Sequence, residues 1–259
     1  MMQTRMSFAR AAALMAALYM RTVVRRKGSW VAGLLALAVV AVFGWAAVRA
    51  DGAAEELEVY RTFLVIGPLG FLVQFSALLY GLAAVSEDRE GGTAAYIFVR
   101  PLPRSAIFTG RLVAAALTTV ALVTLVHLVV AALARFPGGV TVFLLAEIPI
   151  LAGAFCYTAL FMLLATMVKN SVVVGTLWLV LWELVAAQFP WRIKVLTVKY
   201  HLLCLAHGLV PGGADVGSSG PAALFKVFEE SPFDAAAVAA ALTVGALAIA
   251  WMRYRTLEP

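Results

Sequence analysis

Long apolar runs alternate with short polar breaks along the chain, which is the pattern of a helical membrane protein. A membrane-crossing helix needs about 20 predominantly apolar residues, and six runs meet or approach that length. They are residues 30–48, 63–85, 107–134, 142–168, 172–189 and 233–252. The pattern predicts an all-α membrane domain of six spans over residues 29–259, with both termini on one side of the membrane.

Residues 1–28 precede the first span. Their pattern of apolar and basic positions predicts an amphipathic helix at the membrane surface. On a helical projection, Phe8, Met15 and Tyr19 lie on one side. The opposite side is polar and basic, with Gln3, Ser7, Arg10, Arg21 and Arg25. Such a helix lies in the interface, its basic side chains near lipid phosphates. The apolar run 11–20 is not a secretory signal, since basic residues and no small-residue cleavage site follow it.

Composition and charge agree with a membrane protein. Hydrophobic residues make up 63% of the 259 residues and charged residues 13%, against about a quarter charged in an average soluble protein. The net charge of +6 is not combined with interleaved basic and aromatic residues, so we predict no nucleic-acid partner. Six spans place thirteen of the 20 lysines and arginines on the side of the termini. The positive-inside bias therefore predicts cytoplasmic termini.

The segment 190–232, between the fifth and sixth spans, is too long and too apolar in its first half for a simple loop. Irregular backbone exposed to lipid is not tolerated inside the membrane. We therefore expect this outer segment to dip into the interface, folded against the spans.

Four polar residues lie inside the predicted spans: Gln74, His127, Glu147 and Glu183. Ionisable groups in a span are costly and usually face the bundle interior or a cavity. His127, Glu147 and Glu183 fall at a similar depth in the outer half. A buried cluster that satisfies these groups mutually is favoured over direct substrate contact. No Walker-type, HExxH or CxxC motif is present, so we predict no catalytic site, no metal site and no cofactor on this chain.

A polar segment broken by glycine and proline joins the second and third spans. It opens with an acidic cluster, continues through a short apolar stretch that Pro101 must end, and leads to Gly110 and Arg111 before the next long helix. The residues that carry this pattern are Glu87, Asp88, Arg89, Glu90, Gly91, Gly92, Thr93, Tyr96, Ile97, Phe98, Arg100, Pro101, Pro103 and Arg104.

This segment resembles the first cytoplasmic loop of ABC-2-type exporter permeases. The run from Lys199 to Leu202 and the later Ala206 to Gly208 are also similar to the segment that follows the fifth span in that family. The resemblance implies that the loop contains a coupling helix, which docks on a separate ATP-hydrolysing subunit. It also implies that the second and fifth spans line a central pathway between two permease copies.

Aromatic and apolar side chains at helical spacing mark those two spans. The residues assigned to the pathway are Phe71, Gln74, Phe75, Leu78, Trp178 and Trp182. Such stripes are more often packing than binding, and the resemblance favours the pathway. A wide apolar path would suit a hydrophobic or lipid-linked substrate.

The resemblance thus implies a transport subunit and not an enzyme, with ATP and Mg bound by the partner ATPase. A homodimer is favoured over a heterodimer, in a membrane expected to be the bacterial inner membrane. Two other classes remain open at this stage. One is a membrane scaffold or assembly subunit, and the other is a polytopic membrane enzyme.

Overall fold

A computed structural model describes residues 7–23, 25–90, 103–185, 192–210 and 231–256, with the side chains at 87–90, 184, 192 and 193 outside the description. Over the described residues the chain forms helices and turns, without a β-strand. The α-helices are α1 (Phe8–Val23), α2 (Lys27–Arg49), α3 (Ala53–Ile66), α4 (Val73–Glu90), α5 (Arg104–Leu133), α6 (Gly139–Met167), α7 (Ser171–Trp178), α8 (Val198–Leu209) and α9 (Pro232–Arg255). The predicted all-α class is confirmed.

Shorter helical turns complete this order. A π-helical turn, Pro68–Leu72, joins α3 to α4, and a second, Leu179–Val185, follows α7 directly. A 3₁₀ turn, Arg192–Leu196, precedes α8.

Five helical stretches of the described chain are long and apolar enough to cross a membrane. They are Lys27–Arg49, Ala53–Ser86, Arg104–Leu133, Gly139–Met167 and Pro232–Arg255, and they coincide with the predicted spans one to four and six. At a rise of about 1.5 Å per residue, the 23 residues of α2 extend about 34 Å, which matches a hydrocarbon core of about 30 Å. The chain is an integral membrane protein.

The fifth predicted span is shorter in the described chain. Helix α7 has eight residues and the π turn after it has seven, while residues 186–191 lie outside the description. The stretch is apolar but falls below the length of a full crossing. The six-span layout therefore stays a prediction.

The second span begins ten residues before the predicted position 63. Helix α3 starts at Ala53, so the stretch expected to be a polar connection is helical. Pro68 lacks an amide proton and its ring crowds the preceding turn, which ends α3. The chain continues as the π turn, where the Leu72 amide donates to the Gly67 carbonyl five residues back at 2.9 Å.

Helices α4 and α6 form the centre of the bundle. They approach closely at Gly81, where an added Cβ would lie 3.1 Å from both the Thr158 carbonyl oxygen and the Phe161 Cβ. Tyr157 and Phe161 of α6 are fully buried beside this contact. Because small residues let backbones approach within a membrane bundle, Gly81 fixes the distance between these two spans.

Helix α1 packs along one side on the rest of the bundle, and its predicted position at the membrane surface stays a prediction. Its buried residues Ala11, Met15, Tyr19 and Val23 recur every four positions. It approaches α5 closely at Gly110, where an added Cβ would lie 3.0 Å from the Met15 Cβ. Met15 and Tyr19 of the predicted apolar side lie on this packed face, whereas the Phe8 side chain is 50% exposed.

The two ends of the described chain lie on one side of the bundle. The Arg104 guanidinium, at the start of α5, donates to the Arg255 carbonyl at the end of α9 at 2.8 Å, and α1 packs beside it on α5. We call this the terminal side. The opposite side carries the ion pair between Arg135 and Glu56 at 2.7 Å, and helix α8.

Candidate functional site

The predicted coupling segment lies mostly outside the described residues. Helix α4 continues to Glu90, and Pro103 precedes α5. Residues 91–102 fall between them, so the expected docking residues Gly91, Gly92, Thr93, Tyr96, Ile97, Phe98, Arg100 and Pro101 are not described. The side chains of Glu87, Asp88, Arg89 and Glu90 are not described either. Their docking role stays a prediction.

The helices on both sides of this segment are joined to each other. The Arg111 guanidinium, only 8% exposed, donates to the Ala84 carbonyl of α4 at 3.1 Å. The Tyr19 hydroxyl of α1 donates to the Tyr80 carbonyl, also on α4, at 2.6 Å. Together with the bond between Arg104 and Arg255, these contacts fasten α1, α4, α5 and α9 at the terminal side. A displacement of the segment would therefore reach α4 directly.

His127 and Glu147 form a buried pair between α5 and α6. The His127 Nδ1 lies 2.6 Å from the Glu147 Oε1, and the Thr124 hydroxyl donates to the Glu147 Oε2 at 2.8 Å. The other ring nitrogen, Nε2, lies 2.8 Å from the Tyr60 hydroxyl of α3. The Phe143 ring stacks on the imidazole with centroids 4.5 Å apart. The pair joins three helices, and the imidazole is fully enclosed.

Glu183 has different partners. It lies in the π turn after α7, and the Tyr157 hydroxyl of α6 donates to its Oε2 at 2.8 Å. The Gln74 Nε2 is 3.2 Å from that same hydroxyl and donates also to the Leu69 carbonyl in the first π turn at 3.3 Å. A relay of polar side chains thus runs from the second span through the fourth to the fifth predicted span.

The Glu183 carboxylate also caps helix α8. Its Oε1 accepts from the Val198 amide at 3.2 Å and its Oε2 accepts from the Lys199 amide at 3.1 Å. These are the first two amides of α8, and a carboxylate is stabilised there by both the unpaired donors and the helix dipole. The Thr197 hydroxyl accepts from the Tyr200 amide and completes the cap.

Lys199 extends from α8 toward the first π turn. Its Nζ would lie 3.9 Å from a Cβ added on Gly70, so the side chain reaches that turn. The lysine itself belongs to the predicted outer segment and not to a span. Burial lowers the pKa of Lys199 to about 8, while the charge of Glu183 opposes the shift. Helix α8 is therefore attached both to the fifth predicted span and to the second.

The predicted cluster of His127, Glu147 and Glu183 is divided by the structure. His127 and Glu147 bond to each other, as expected. Glu183 joins the separate relay with Tyr157 and Gln74.

The residues assigned to the substrate path also divide into two groups. Gln74 and Leu78 face the interior of this subunit, with exposures of 0% and 3%. Phe71 and Phe75 are half-buried, and their rings stack with centroids 5.3 Å apart. On the fifth predicted span, Trp178 packs edge-on against Phe161 at 5.7 Å, and Trp182 is half-buried. Only part of the predicted stripe is therefore open to a second copy or a substrate.

Tyr60, Tyr157 and Lys199 are partners that the sequence analysis missed. The two tyrosines are read as apolar aromatics in a hydropathy pattern, although each hydroxyl needs a partner when buried. The partner of each tyrosine lies on another helix, His127 for Tyr60 and Glu183 for Tyr157, so the linear sequence does not place them together. The available signal was that polar side chains in one span need partners on another span. Among the described residues, no group of three or more His, Cys, Asp or Glu could hold a metal ion.

Neither a scan against protein-family models nor a search of curated proteins gives a match to this chain. The proposal of function below therefore depends on the residue pattern and on the arrangement of the helices.

Proposed function

We propose that this chain is the membrane subunit of an ATP-driven exporter, similar to the ABC-2-type permeases. Two copies would form a central pathway, and a separate ATPase subunit would bind ATP and Mg and dock on residues 87–104. The substrate would be hydrophobic or lipid-linked, and it would move by alternating access. The terminal side would face the cytoplasm.

The observation that carries this proposal is the attachment of the predicted docking segment to the second span. Helix α4 runs without interruption from Val73 to Glu90, so its last turn is the first part of the segment. On its return, the segment enters α5, whose Arg111 holds the Ala84 carbonyl of the same helix. A force applied by an ATPase would thus act on a rigid helix that extends to the middle of the bundle.

The far end of that helix supports the second part of the proposal. Gln74 of α4 begins the relay through Tyr157 to Glu183, which caps α8 on the opposite side. A shift of α4 would therefore change contacts on both sides of the membrane. An exporter requires such a connection, because ATP is hydrolysed on one side and substrate is released on the other.

The half-buried aromatic pair on the second span supports an apolar path. Phe71 and Phe75 are not fully covered within one subunit. Aromatic surface that is left open inside the membrane contacts lipid, substrate or a second subunit. A subunit of this size cannot enclose a large substrate, whereas a two-fold dimer presents the same face twice.

Charge reversal in the docking segment tests the proposal. In cells that make the chain with its native partners, we expect the double variant Glu90→Lys with Tyr96→Ala to lose the co-purified ATPase or its coupling to transport. A matched variant, Glu58→Lys, reverses an exposed acid on the opposite side and should keep both. An intact, fully coupled complex in the double variant would refute the docking site.

The same purification separates the other classes of protein. A scaffold would retain other partners without an ATPase, and a membrane enzyme would require a reactive group open to substrate. In the described chain, the Tyr60 and His127 side chains are 1% and 0% exposed, which disfavours their use in catalysis.

A further inference from the structure

A cavity of about 300 Å³ opens between the start of α2 and the middle of α4. Its lining on the α2 side is Arg26, Lys27, Gly28 and Ser29, and on the α4 side Leu79, Tyr80 and Ala83. We propose that this cavity binds the phosphate headgroup of an anionic phospholipid from the leaflet on the terminal side. The site is distinct from the proposed docking segment and requires no ATPase.

The charge of the cavity fits a phosphate. Arg26 and Lys27 are adjacent in sequence and both line it, so two cationic side chains are within reach of one bound anion. The N-cap residue of α2, Arg26, makes no side-chain capping bond to the helix, and the first turn, Lys27 to Ser29, also lines the cavity. Backbone amides at a helix start add to the attraction for a phosphate, since the helix dipole favours negative charge there.

The walls of the cavity are held in place by contacts around it. The Tyr19 hydroxyl bonds to the Tyr80 carbonyl at 2.6 Å, and the Arg26 guanidinium lies 4.9 Å from the centroid of the Tyr19 ring. The Ser29 hydroxyl donates to the Val23 carbonyl at 2.5 Å, which fixes the turn between α1 and α2. The basic wall is therefore positioned before a ligand arrives.

An apolar strip leads from the cavity into the membrane. Ala83 and Leu79 line the cavity, and Phe75 and Phe71 continue along α4 at intervals of four residues. All four are half-buried, whereas the residues beside them face the bundle interior. A free phosphate would use only the basic end. A phospholipid would use the basic end for its phosphate and the strip for an acyl chain.

The position of the cavity along α2 agrees with a lipid headgroup. Helix α2 is a membrane-crossing helix of 23 residues, so its first turn lies at the boundary between hydrocarbon and water. Phosphates of one leaflet occupy that level, and basic residues near it attract anionic lipid.

Lipid binding is measured on the purified full chain in neutral detergent by native mass spectrometry. Phosphatidylglycerol, phosphatidylcholine and inorganic phosphate are the three probes. We expect phosphatidylglycerol to bind, and the double variant Arg26→Gln with Lys27→Gln to bind it about 30-fold more weakly, since two cation contacts are lost. The control Arg21→Gln with Arg25→Gln removes two exposed charges from the same region without touching the cavity, and should change binding by less than about 3-fold.

A second variant tests the cavity without changing charge. An added Cβ on Gly28 would make an ordinary contact with the Leu79 side chain at 3.8 Å, and both residues line the cavity, so Gly28→Leu directs a larger side chain into it. We expect this variant to keep the elution profile of the parent protein and to lose phosphatidylglycerol.

Four outcomes would overturn the proposal. Equal loss in the control pair would show general surface attraction, and equal binding of phosphatidylcholine would show that charge is not recognised. Displacement of the lipid by millimolar inorganic phosphate would assign a free-phosphate site. Undiminished binding by a folded Gly28→Leu variant would show that the cavity is not used.

Discussion

The attachment of helix α8 to Glu183 gives the sharpest test of the described structure. Substitution of Glu183 by Ala removes the acceptor for the Tyr157 hydroxyl and for the amides of Val198 and Lys199. All three donors are buried, and a buried donor that loses its acceptor is costly. We therefore expect α8 to open locally far more often than in the parent protein.

The size of the effect follows from the three lost bonds. Hydrogen bonds between helices in membrane proteins average about 0.6 kcal/mol with a maximum near 1.7, and bonds to a charged group in other proteins reach about 1.5–3. Loss of three bonds thus destabilises α8 by about 2–5 kcal/mol. Since each 1.4 kcal/mol is a factor of ten, the amides of α8 should exchange with solvent deuterium at least about 30-fold faster.

Graded variants separate the cap from a general loss of stability. Tyr157→Phe removes one of the three bonds and should accelerate exchange by roughly 3- to 20-fold, in keeping with about 0.6–1.7 kcal/mol. Glu147→Ala removes another buried carboxylate, whose partners are Thr124 and His127, and should leave exchange in α8 unchanged.

Hydrogen exchange of the peptide 198–209, read by mass spectrometry in detergent, is the measurement. Unchanged exchange in Glu183→Ala would refute the cap. Equal acceleration in Glu147→Ala would show that any loss of an intramembrane carboxylate loosens the whole bundle.

Two further predictions address the dimer and the topology. Phe75→Cys should cross-link between two copies in at least one nucleotide state. Leu78→Cys should not, because the Leu78 side chain is 3% exposed within one subunit. Cross-linking of both variants or of neither would contradict the proposed face. The topology is tested by cysteine labelling in a chain that lacks Cys156 and Cys204. Ser218→Cys should react with an impermeant reagent from outside, and Arg255→Cys should react only after permeabilisation. The reverse pattern would refute six spans with cytoplasmic termini.

The long apolar helices could be predicted from sequence within a few residues. Charged residues such as Lys27 and Arg49 bound the first span, and the cost of placing charge in hydrocarbon makes that boundary sharp. The start of α3 could not be predicted this way. Glu56 marks a polar stretch in any hydropathy average, but its carboxylate is paired with Arg135, which is distant in sequence.

The orientation of side chains on the second span was harder to predict than its position. A helical projection shows which residues share a side of a helix, but it does not show where the boundary between the bundle interior and the outside lies. On the second span that boundary runs through the predicted stripe. Gln74 and Leu78 are buried, whereas Phe71 and Phe75 are half-buried.

The polar relay connects the two π turns. The Leu69 carbonyl belongs to the first π turn and accepts from the Gln74 side chain, while Glu183 belongs to the second. Tyr157, on the intervening α6, bonds to both Gln74 and Glu183. The relay thus connects two irregular turns on two helices through a third helix.

This arrangement limits how the second and fifth predicted spans can move. Packed helices shift between discrete arrangements and do not deform continuously, so a displacement of one π turn relative to the other must break a bond at Tyr157. The weaker of its two bonds, by length, is that to Gln74 at 3.2 Å, compared with 2.8 Å to Glu183. In the proposed exporter, motion of α4 would therefore separate Gln74 from Tyr157 first, while Glu183 keeps its hold on both Tyr157 and α8.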